Sequence, residues 1–279
     1  MNIQEKTALV VGGSGKTGRR VARRLMARGI PVRSASRSGS TRFDWADRGT
    51  WADALRGVAS AYITYSPDLA APGALEDIRE LTKLAVDSGV RKLVLLSGRG
   101  EPQAARSEQP VRDSGATFTI LRASWFCQNF SEGMMLDAVR SGEVAFPAGD
   151  VAEPFIDVED VAEIAVAALT SDAHDGTTYE LTGPRLLTFA QAVDEIARAS
   201  GKAVRYVPVT PEEYGAAMAS FVSPEQAAFF VELFRRVLDG HNAHTSDGVE
   251  RVLGRKGREF SEYAREVAAS GVWGEGARG

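Results

Sequence analysis

The stretch Val10-Val11-Gly12-Gly13-Ser14-Gly15-Lys16-Thr17-Gly18-Arg19-Arg20 joins an apolar run, Thr7 to Val11, to a helical pattern, Val21 to Ala27, whose apolar side carries Val21, Leu25 and Met26. A strand that feeds through glycines straight into a helix opens a βαβ unit and leaves few other architectures. Two glycine spacings overlap here: Gly13, Gly15 and Gly18 satisfy G-x-G-x-x-G, and Gly12, Gly15 and Gly18 satisfy G-x-x-G-x-x-G. In such a loop the glycines make a tight turn, let the backbone approach a pyrophosphate and pack the helix close to the strand. Free N–H groups and the positive end of the helix dipole then hold the anion. The same residues contain Gly15-Lys16-Thr17, the ending of a nucleoside-triphosphate loop, but that motif requires a glycine at position 10, which is Val10. The spacing therefore favours a dinucleotide.

From residue 1 to about 125 the apolar runs Ala8–Val11, Val32–Ser36, Ala61–Thr64, Leu93–Leu96 and Phe118–Leu121 alternate with helical patterns. They lack the apolar/polar alternation of a half-exposed sheet, as strands do when helices cover both faces. The fold expected is α/β: a doubly wound parallel sheet (Rossmann) with a smaller, mainly helical C-terminal lobe. The division expected is 1–150 for the dinucleotide domain and 151–279 for the lobe, with some segments of the latter returning to the sheet. A helix is expected from Asp157-Val158-Glu159-Asp160 to about Thr170, then a strand over Thr178–Leu181. Three helix starts follow, at Thr188 with Gln191, Thr210 with Glu213 and Ser223 with Gln226, each with an N-cap hydroxyl and an acceptor three residues on. The Gly274–Gly279 tail reads as frayed.

Composition narrows the function classes. The 279 residues are 44% hydrophobic and 25% charged, an ordinary globular balance. No apolar run reaches the ~18 residues of a membrane span, and MNIQEKTALVV leads into a strand instead of a secretory leader, so a cytoplasmic location is expected. A net charge of -4 offers no nucleic-acid footprint, and Arg19, Arg20, Arg23 and Arg24 read as the solvated face of the first helix. The single cysteine, Cys127, reads as an inert core residue, and His241 and His244 read as loop residues without a third ligand, so no metal is expected. The partner expected is a small-molecule substrate, with no nucleic acid and no membrane; monomer and homodimer both stay open.

NAD enzymes of this architecture place a carboxylate ~20 residues beyond the glycine loop, on the ribose 2′-hydroxyl. Here that region reads Val32-Arg33-Ser34-Ala35-Ser36-Arg37-Ser38, with no carboxylate. Arg37 and Ser38 stand where the second strand should end, and an arginine there pairs with the extra phosphate of NADP. NADP(H) is the cofactor expected.

These residues resemble the atypical short-chain dehydrogenases of the NmrA-like type, which include bacterial quinone and triphenylmethane dye reductases and the ergot-alkaloid iminium reductases. The resemblance rests on Gly12 to Gly18, on Phe43-Asp44-Trp45, and on Thr119-Ile120-Leu121-Arg122 followed by Phe126 and Asn129. It continues through Phe155-Ile156-Asp157-Val158-Glu159-Asp160-Val161-Ala162 and Tyr179-Glu180-Leu181-Thr182-Gly183-Pro184, so it covers most of the chain. Asp247-Gly248-Val249 with Leu253-Gly254-Arg255 looks most like the ergot branch, while Ala123 departs from the family's Leu-Arg-Pro. The resemblance implies that Gly12, Gly13, Ser14, Gly15, Lys16, Thr17 and Gly18 hold the pyrophosphate and that Asp44 and Trp45 lie beside the adenine. By the same resemblance Tyr65, Ser66 and Ser97 line the ribose and nicotinamide, and Trp125, Phe126 and Asn129 face the substrate. Core packing is the alternative role for the aromatic pair.

The dehydrogenase dyad Tyr-x-x-x-Lys is missing: the residues four beyond Tyr62, Tyr65, Tyr179, Tyr206, Tyr214 and Tyr263 are Ser66, Leu69, Gly183, Thr210, Met218 and Val267. Glu108 and Arg112 stand four apart but read as an ordinary surface ion pair, and arginine is a poor acid. Phe229 to Phe234 reads as core of the lobe. With no proton donor identified, the catalytic residues are left unassigned. Two functions fit: a reductase of an already activated electrophile, or an NADP-binding redox sensor without turnover.

Overall fold

The computed structural model describes residues 7–274; the first six residues and positions 275–279, most of the glycine-rich tail, lie outside the described residues. In chain order the elements begin β1 (Thr7–Val11), α1 (Lys16–Ala27), β2 (Val32–Ser36), β3 (Thr41–Arg42), α2 (Trp51–Leu55), β4 (Val58–Ile63), α3 (Ala74–Asp87), β5 (Lys92–Gly98), α4 (Pro102–Arg112) and β6 (Thr117–Ala123). They continue with α5 (Asn129–Glu132), α6 (Leu136–Ser141), β7 (Glu143–Phe146), β8 (Ala152–Glu153), α7 (Val158–Thr170), β9 (Thr177–Leu181), β10 (Leu187–Thr188) and α8 (Phe189–Ser200). The last are β11 (Arg205–Pro208), α9 (Pro211–Met218), α10 (Pro224–Val237), α11 (Gly248–Leu253) and α12 (Phe260–Ala269).

The chain divides into two compact units, and it enters the first three times: residues 1–123, 158–181 and 248–255. This unit is built on a parallel sheet ordered β3-β2-β1-β4-β5-β6-β9. The order reverses between β1 and β4, which is the point where doubly wound sheets open a crevice at their carboxyl ends. Helices α1, α7 and α11 pack together as one layer, and α2, α3 and α4 as the other. Leu9, Val10 and Val11, like Leu93, Val94 and Leu95, are therefore all fully buried, which accounts for apolar runs without alternation.

One expectation about α1 fails. Val21 and Leu25 are buried, but Met26 is 59% exposed. Five residues beyond Val21 is about 140° around a helix of 3.6 residues per turn, so Met26 points away from the buried stripe.

The second unit comprises residues 124–157, 182–247 and 256–279. Its core is aromatic: Phe130, Phe146, Phe155, Phe189, Phe234, Phe260, Tyr263 and Trp273 are buried together, with Cys127 among them. Two small sheets, parallel β11-β7 and antiparallel β10-β8, complete it. The three helix starts read from sequence are all full capping boxes. Gln191 N–H donates to Thr188 Oγ1 at 3.1 Å, Glu213 N–H to Thr210 Oγ1 at 3.2 Å and Gln226 N–H to Ser223 Oγ at 3.3 Å, each with the reciprocal bond to the cap's own N–H.

Candidate functional site

The glycine loop begins where β1 ends. Gly12 has φ +73°, the left-handed region, and a Cβ there would lie 2.2 Å from Thr64 Oγ1. A Cβ on Gly13 would lie 2.0 Å from Ser34 Oγ, and one on Gly18 would lie 2.2 Å from the carbonyl oxygen of Gly12. Gly12, by its positive φ, and Gly18, by its contact with backbone, are steric requirements of the turn, whereas the exposed Ser34 hydroxyl can rotate away from a side chain at position 13. Gly15 differs: its tightest contact would be 3.1 Å, to Gly12 O, and it is exposed beside Ser14. It caps α1 with no side-chain bond, and the first turn of α1 carries no acidic residue, so the positive end of the helix dipole faces outward without a resident carboxylate. Two backbone bonds hold the loop, Gly13 N–H to Ala35 O at 3.0 Å and Gly15 N–H to Gly12 O at 2.8 Å.

Arg37 and Ser38 follow β2 on an exposed turn, and no hydrogen bond or ion pair engages Arg37 among the described residues. Nearby in sequence, Asp44 is tied into its own turn: its carboxylate accepts from Ala46 N–H at 3.1 Å and its carbonyl from Trp51 Nε1 at 2.8 Å. Trp45 packs at 4.5 Å on Tyr65 and at 5.0 Å on Phe43, and its Nε1 donates to Thr64 O at 3.1 Å. The Tyr65 hydroxyl donates to Asp77 Oδ2 at 2.7 Å, and burial, then this bond, push its pKa well above the ordinary phenol value. Ser66 is exposed at the same loop.

At the ends of β5 and β6 the structure departs from the sequence reading. Glu108 is not a surface residue: it is 0% exposed and anchors a network. Arg122 reaches it with two bonds, Nε to Oε1 at 2.8 Å and Nη2 to Oε2 at 2.7 Å, and Arg112 adds a third at 3.1 Å. The Ser97 hydroxyl donates to Glu108 Oε1 at 2.7 Å, so the serine expected beside the nicotinamide has its proton committed inward. Burial pushes the Glu108 carboxyl up, but the bonds from Arg122, Ser97 and Arg112 outweigh it and hold the group below the ordinary carboxylate value. The four-residue spacing on α4 was legible; the orientation of that face toward Arg122 was not.

A second correction concerns the arginines of α1. Arg20, Arg23 and Arg24 converge on Glu159 at the start of α7, at 2.7, 3.0 and 2.6 Å. They clamp two helices of one layer; Arg19 and Arg23 stay exposed, as a solvated face requires, while Arg20 is largely buried by its ion pair.

Sequence reasoning also missed an acidic pair. Asp68 follows β4 and Glu101 follows β5, strands that are neighbours in the sheet, and the two carboxyl groups lie within hydrogen-bonding reach of each other. Nothing local links positions 33 residues apart in sequence; only the order of strands does.

In the second unit Trp125 is half-buried, with ring centroids 5.5 Å from Phe146, 5.4 Å from Phe189 and 5.8 Å from Phe234. Phe126 and Asn129 are also half-buried; Phe126 forms a parallel bridge with Ile156, and Asn129 accepts from Met135 N–H at 3.1 Å. Within the stretch 229–234, Phe234 is buried while Phe229 and Phe230 keep some exposure. A groove of about 840 Å³ between α3 and α4, lined by Arg79, Lys83, Arg106 and Gln109 among others, holds none of the residues singled out from sequence. Among the described residues no cluster of His, Cys, Asp or Glu could hold a metal ion, and no helix is long and apolar enough to cross a membrane.

No family model matches the chain. Prestalk A differentiation protein A of Dictyostelium discoideum is 30% identical over 277 residues, covering 93% of this chain and 91% of that protein. The NAD(P)H azoreductase of Xenophilus azovorans is 31% identical over 285 residues (94% and 98%), and an agroclavine dehydrogenase of Claviceps purpurea is 28% identical over 289 residues (95% and 98%). Among solved structures, the Citrobacter sp. triphenylmethane reductase complexed with NADP(H) superposes with a TM-score of 0.74 at 21% identity, covering 94% of this chain and 99% of that one. Nmra, a negative transcriptional regulator in complex with NAD, does so with a TM-score of 0.71 at 19% identity, covering 96% of each. Both share this fold.

Proposed function

The chain belongs to the NmrA-like atypical short-chain dehydrogenase/reductase family, and from that premise we propose that it is an NADPH-dependent reductase passing hydride to a small, already activated electrophile, an iminium ion, a quinone or a conjugated cation. The observation that carries the reading is the glycine cradle: Gly12 has the positive φ that glycine favours, Gly18 sits where a Cβ would collide with the Gly12 backbone, and Gly15 leaves the backbone open at the head of α1. That is the shape a pyrophosphate needs. Gly12 to Gly18 would hold it, with Ser14 and Lys16 on the rim and Thr17 buried at the head of α1. Arg37 and Ser38 would take the 2′-phosphate, Asp44 and Trp45 the adenine, and Tyr65, Ser66 and Ser97 the ribose and nicotinamide. The first unit is thus read as the dinucleotide domain and the second as the substrate lobe, with Trp125, Phe126 and Asn129 meeting the acceptor. When bound, the reduced dinucleotide supplies hydride. The relatives named as azoreductase and agroclavine dehydrogenase support an electron-poor nitrogen or conjugated acceptor, and the single cysteine is in keeping with a cytoplasmic setting.

NADPH oxidation, followed by absorbance with quinones, triphenylmethane dyes and cyclic imines, is expected to show steady turnover with at least one class. Tight binding of oxidised and reduced NADP with equal affinity, and no turnover across the panel, would instead mark a redox sensor. Phosphate recognition has its own test. Arg37→Ala should weaken NADPH binding ~10- to 100-fold, the loss of one charge-assisted contact, and leave NADH nearly unchanged. Equal losses for the two nucleotides, read by calorimetry, would remove the phosphate assignment.

A further inference from the structure

The acidic pair beyond β4 and β5 has a chemistry of its own. Asp68 Oδ1 accepts the Ala70 N–H at 2.7 Å, a bond that suits a carboxylate. Glu101 Oε2, by contrast, is fully buried and receives no N–H or O–H from the described residues. Two ionised carboxylates only accept and cannot bond to each other; a carboxylic acid and a carboxylate can, so a single proton resides on the pair. The donors therefore place it on Glu101. No ammonium or guanidinium pairs with either group among the described residues. Arg99, the next charge along the β5 loop, is engaged by Glu180, with Nε to Oε2 at 3.1 Å; Arg48 of the β3–α2 connection and Tyr65 of the β4 loop are both held by Asp77 of α3; and Glu108 of α4 is held by Arg122 and Arg112.

The position is built to admit this carboxyl. Gly98 ends β5, and a Cβ there would lie 1.9 Å from Glu101 Oε1, so glycine leaves the space the acid occupies. The Ser107 hydroxyl donates to Leu69 O at 3.2 Å, tying the Asp68 loop to α4. Both groups thus stand at the carboxyl edge of the sheet, where ligands of doubly wound folds collect, with Glu101 packed on Gly98. Burial and the neighbouring Asp68 charge push Glu101 up to about 9, so it keeps its proton at neutral pH.

We propose that Glu101, paired with Asp68, is the proton donor to the reduced acceptor. The inference rests on the reductase reading above and extends it to acceptors that need a proton. A quinone or an azo compound takes two electrons and one hydrogen from the reduced nicotinamide nucleotide, which leaves oxidised. The oxyanion or nitrogen anion so formed bonds to the proton as the Glu101 O–H bond breaks, and water returns a proton to the resulting carboxylate through Asp68. A conjugated cation needs no such step, since hydride alone neutralises it.

Two measurements test this. Infrared titration of the unliganded chain should show a carboxylic-acid carbonyl band at pH 7 that is lost as pH rises through about 9 and is missing in Glu101→Gln. In Asp68→Asn, without the neighbouring negative charge, that band should disappear at lower pH. With NADPH, Glu101→Gln should lower the ratio of benzoquinone turnover to triphenylmethane-dye turnover by ~100-fold, the usual scale for a general acid. A structural role would slow both acceptors alike, and that result, or a wild-type chain without the acid band at pH 7, overturns the proposal. If the wild-type chain shows the band but reduces neither acceptor, the reductase reading itself falls and the donor role with it.

Discussion

Gly18→Ala is expected to weaken binding of either nicotinamide nucleotide by ~100-fold or more while the chain stays folded. The added Cβ would sit 2.2 Å from the Gly12 carbonyl oxygen and 2.8 Å from its carbon, both backbone atoms that no side-chain rotation can clear. The loop must move away from α1, and the N–H groups proposed to hold the pyrophosphate move with it. Two charge-assisted bonds lost at ~1.5–3 kcal/mol each account for the loss in affinity, and crowding itself costs ~1–3 kcal/mol of stability. Gly15→Ala is the control. Its Cβ would stand 3.1 Å from the same oxygen, a contact relieved by a shift of a few tenths of an ångström, so the fold should tolerate it. Because Gly15 is the exposed glycine, any loss of affinity there reports close approach of the ligand rather than a displaced loop. Calorimetric dissociation constants and urea midpoints for both variants separate the two effects. Unchanged binding in Gly18→Ala would place the nucleotide elsewhere.

What could be read from sequence, and what could not, divides by distance along the chain. The glycine loop, the three capping boxes and the buried strands are written in contiguous residues, because turn sterics, N-cap bonds and two-sided burial each act within a few positions. Met26 was misplaced by a small error of helical phase. The larger misses are pairings across strands and layers: Glu159 with three arginines of α1, Glu108 with Arg122, and Asp68 with Glu101. In each case the partner lies on an element brought close only by the sheet order or by the packing of helices on one face. The order also explains why a donor went unseen. A search for a tyrosine followed by lysine looks along one helix, whereas the acidic pair is assembled from two loops.

The largest effect on stability is expected at Glu108. Its carboxylate is 0% exposed, and Arg122 and Arg112, with side chains 28% and 29% exposed, both bond to it, Arg112 also donating to Thr178 Oγ1 at 2.7 Å. Glu108→Ala leaves two guanidinium groups half-buried beside a cavity, and breaking a buried pair by removing one partner costs ~3–5 kcal/mol. Glu108→Gln keeps the volume and one acceptor oxygen, so it should lose less, and the difference between the two variants measures packing against charge. The sign of the pH dependence follows from the depressed carboxyl. A group whose folded pKa lies below its unfolded value adds stability above the unfolded value, near 4.5 for glutamate, and loses it as pH falls through the folded one. The gap in urea stability between the wild-type chain and Glu108→Gln should therefore be constant near pH 7 and should narrow below pH 4.5. A gap independent of pH would mean that the ionisation of Glu108 contributes nothing to it. Arg122, whose guanidinium is held above its ordinary value by the bond to Glu108, stays charged throughout, so the narrowing belongs to the carboxyl. Since the Ser97 hydroxyl also bonds to this carboxylate, the same variants ask whether the end of β5 keeps its shape when the network is cut. Weaker nucleotide binding in Glu108→Gln, at a pH where the fold is intact, would tie the buried ion cluster to the site above it.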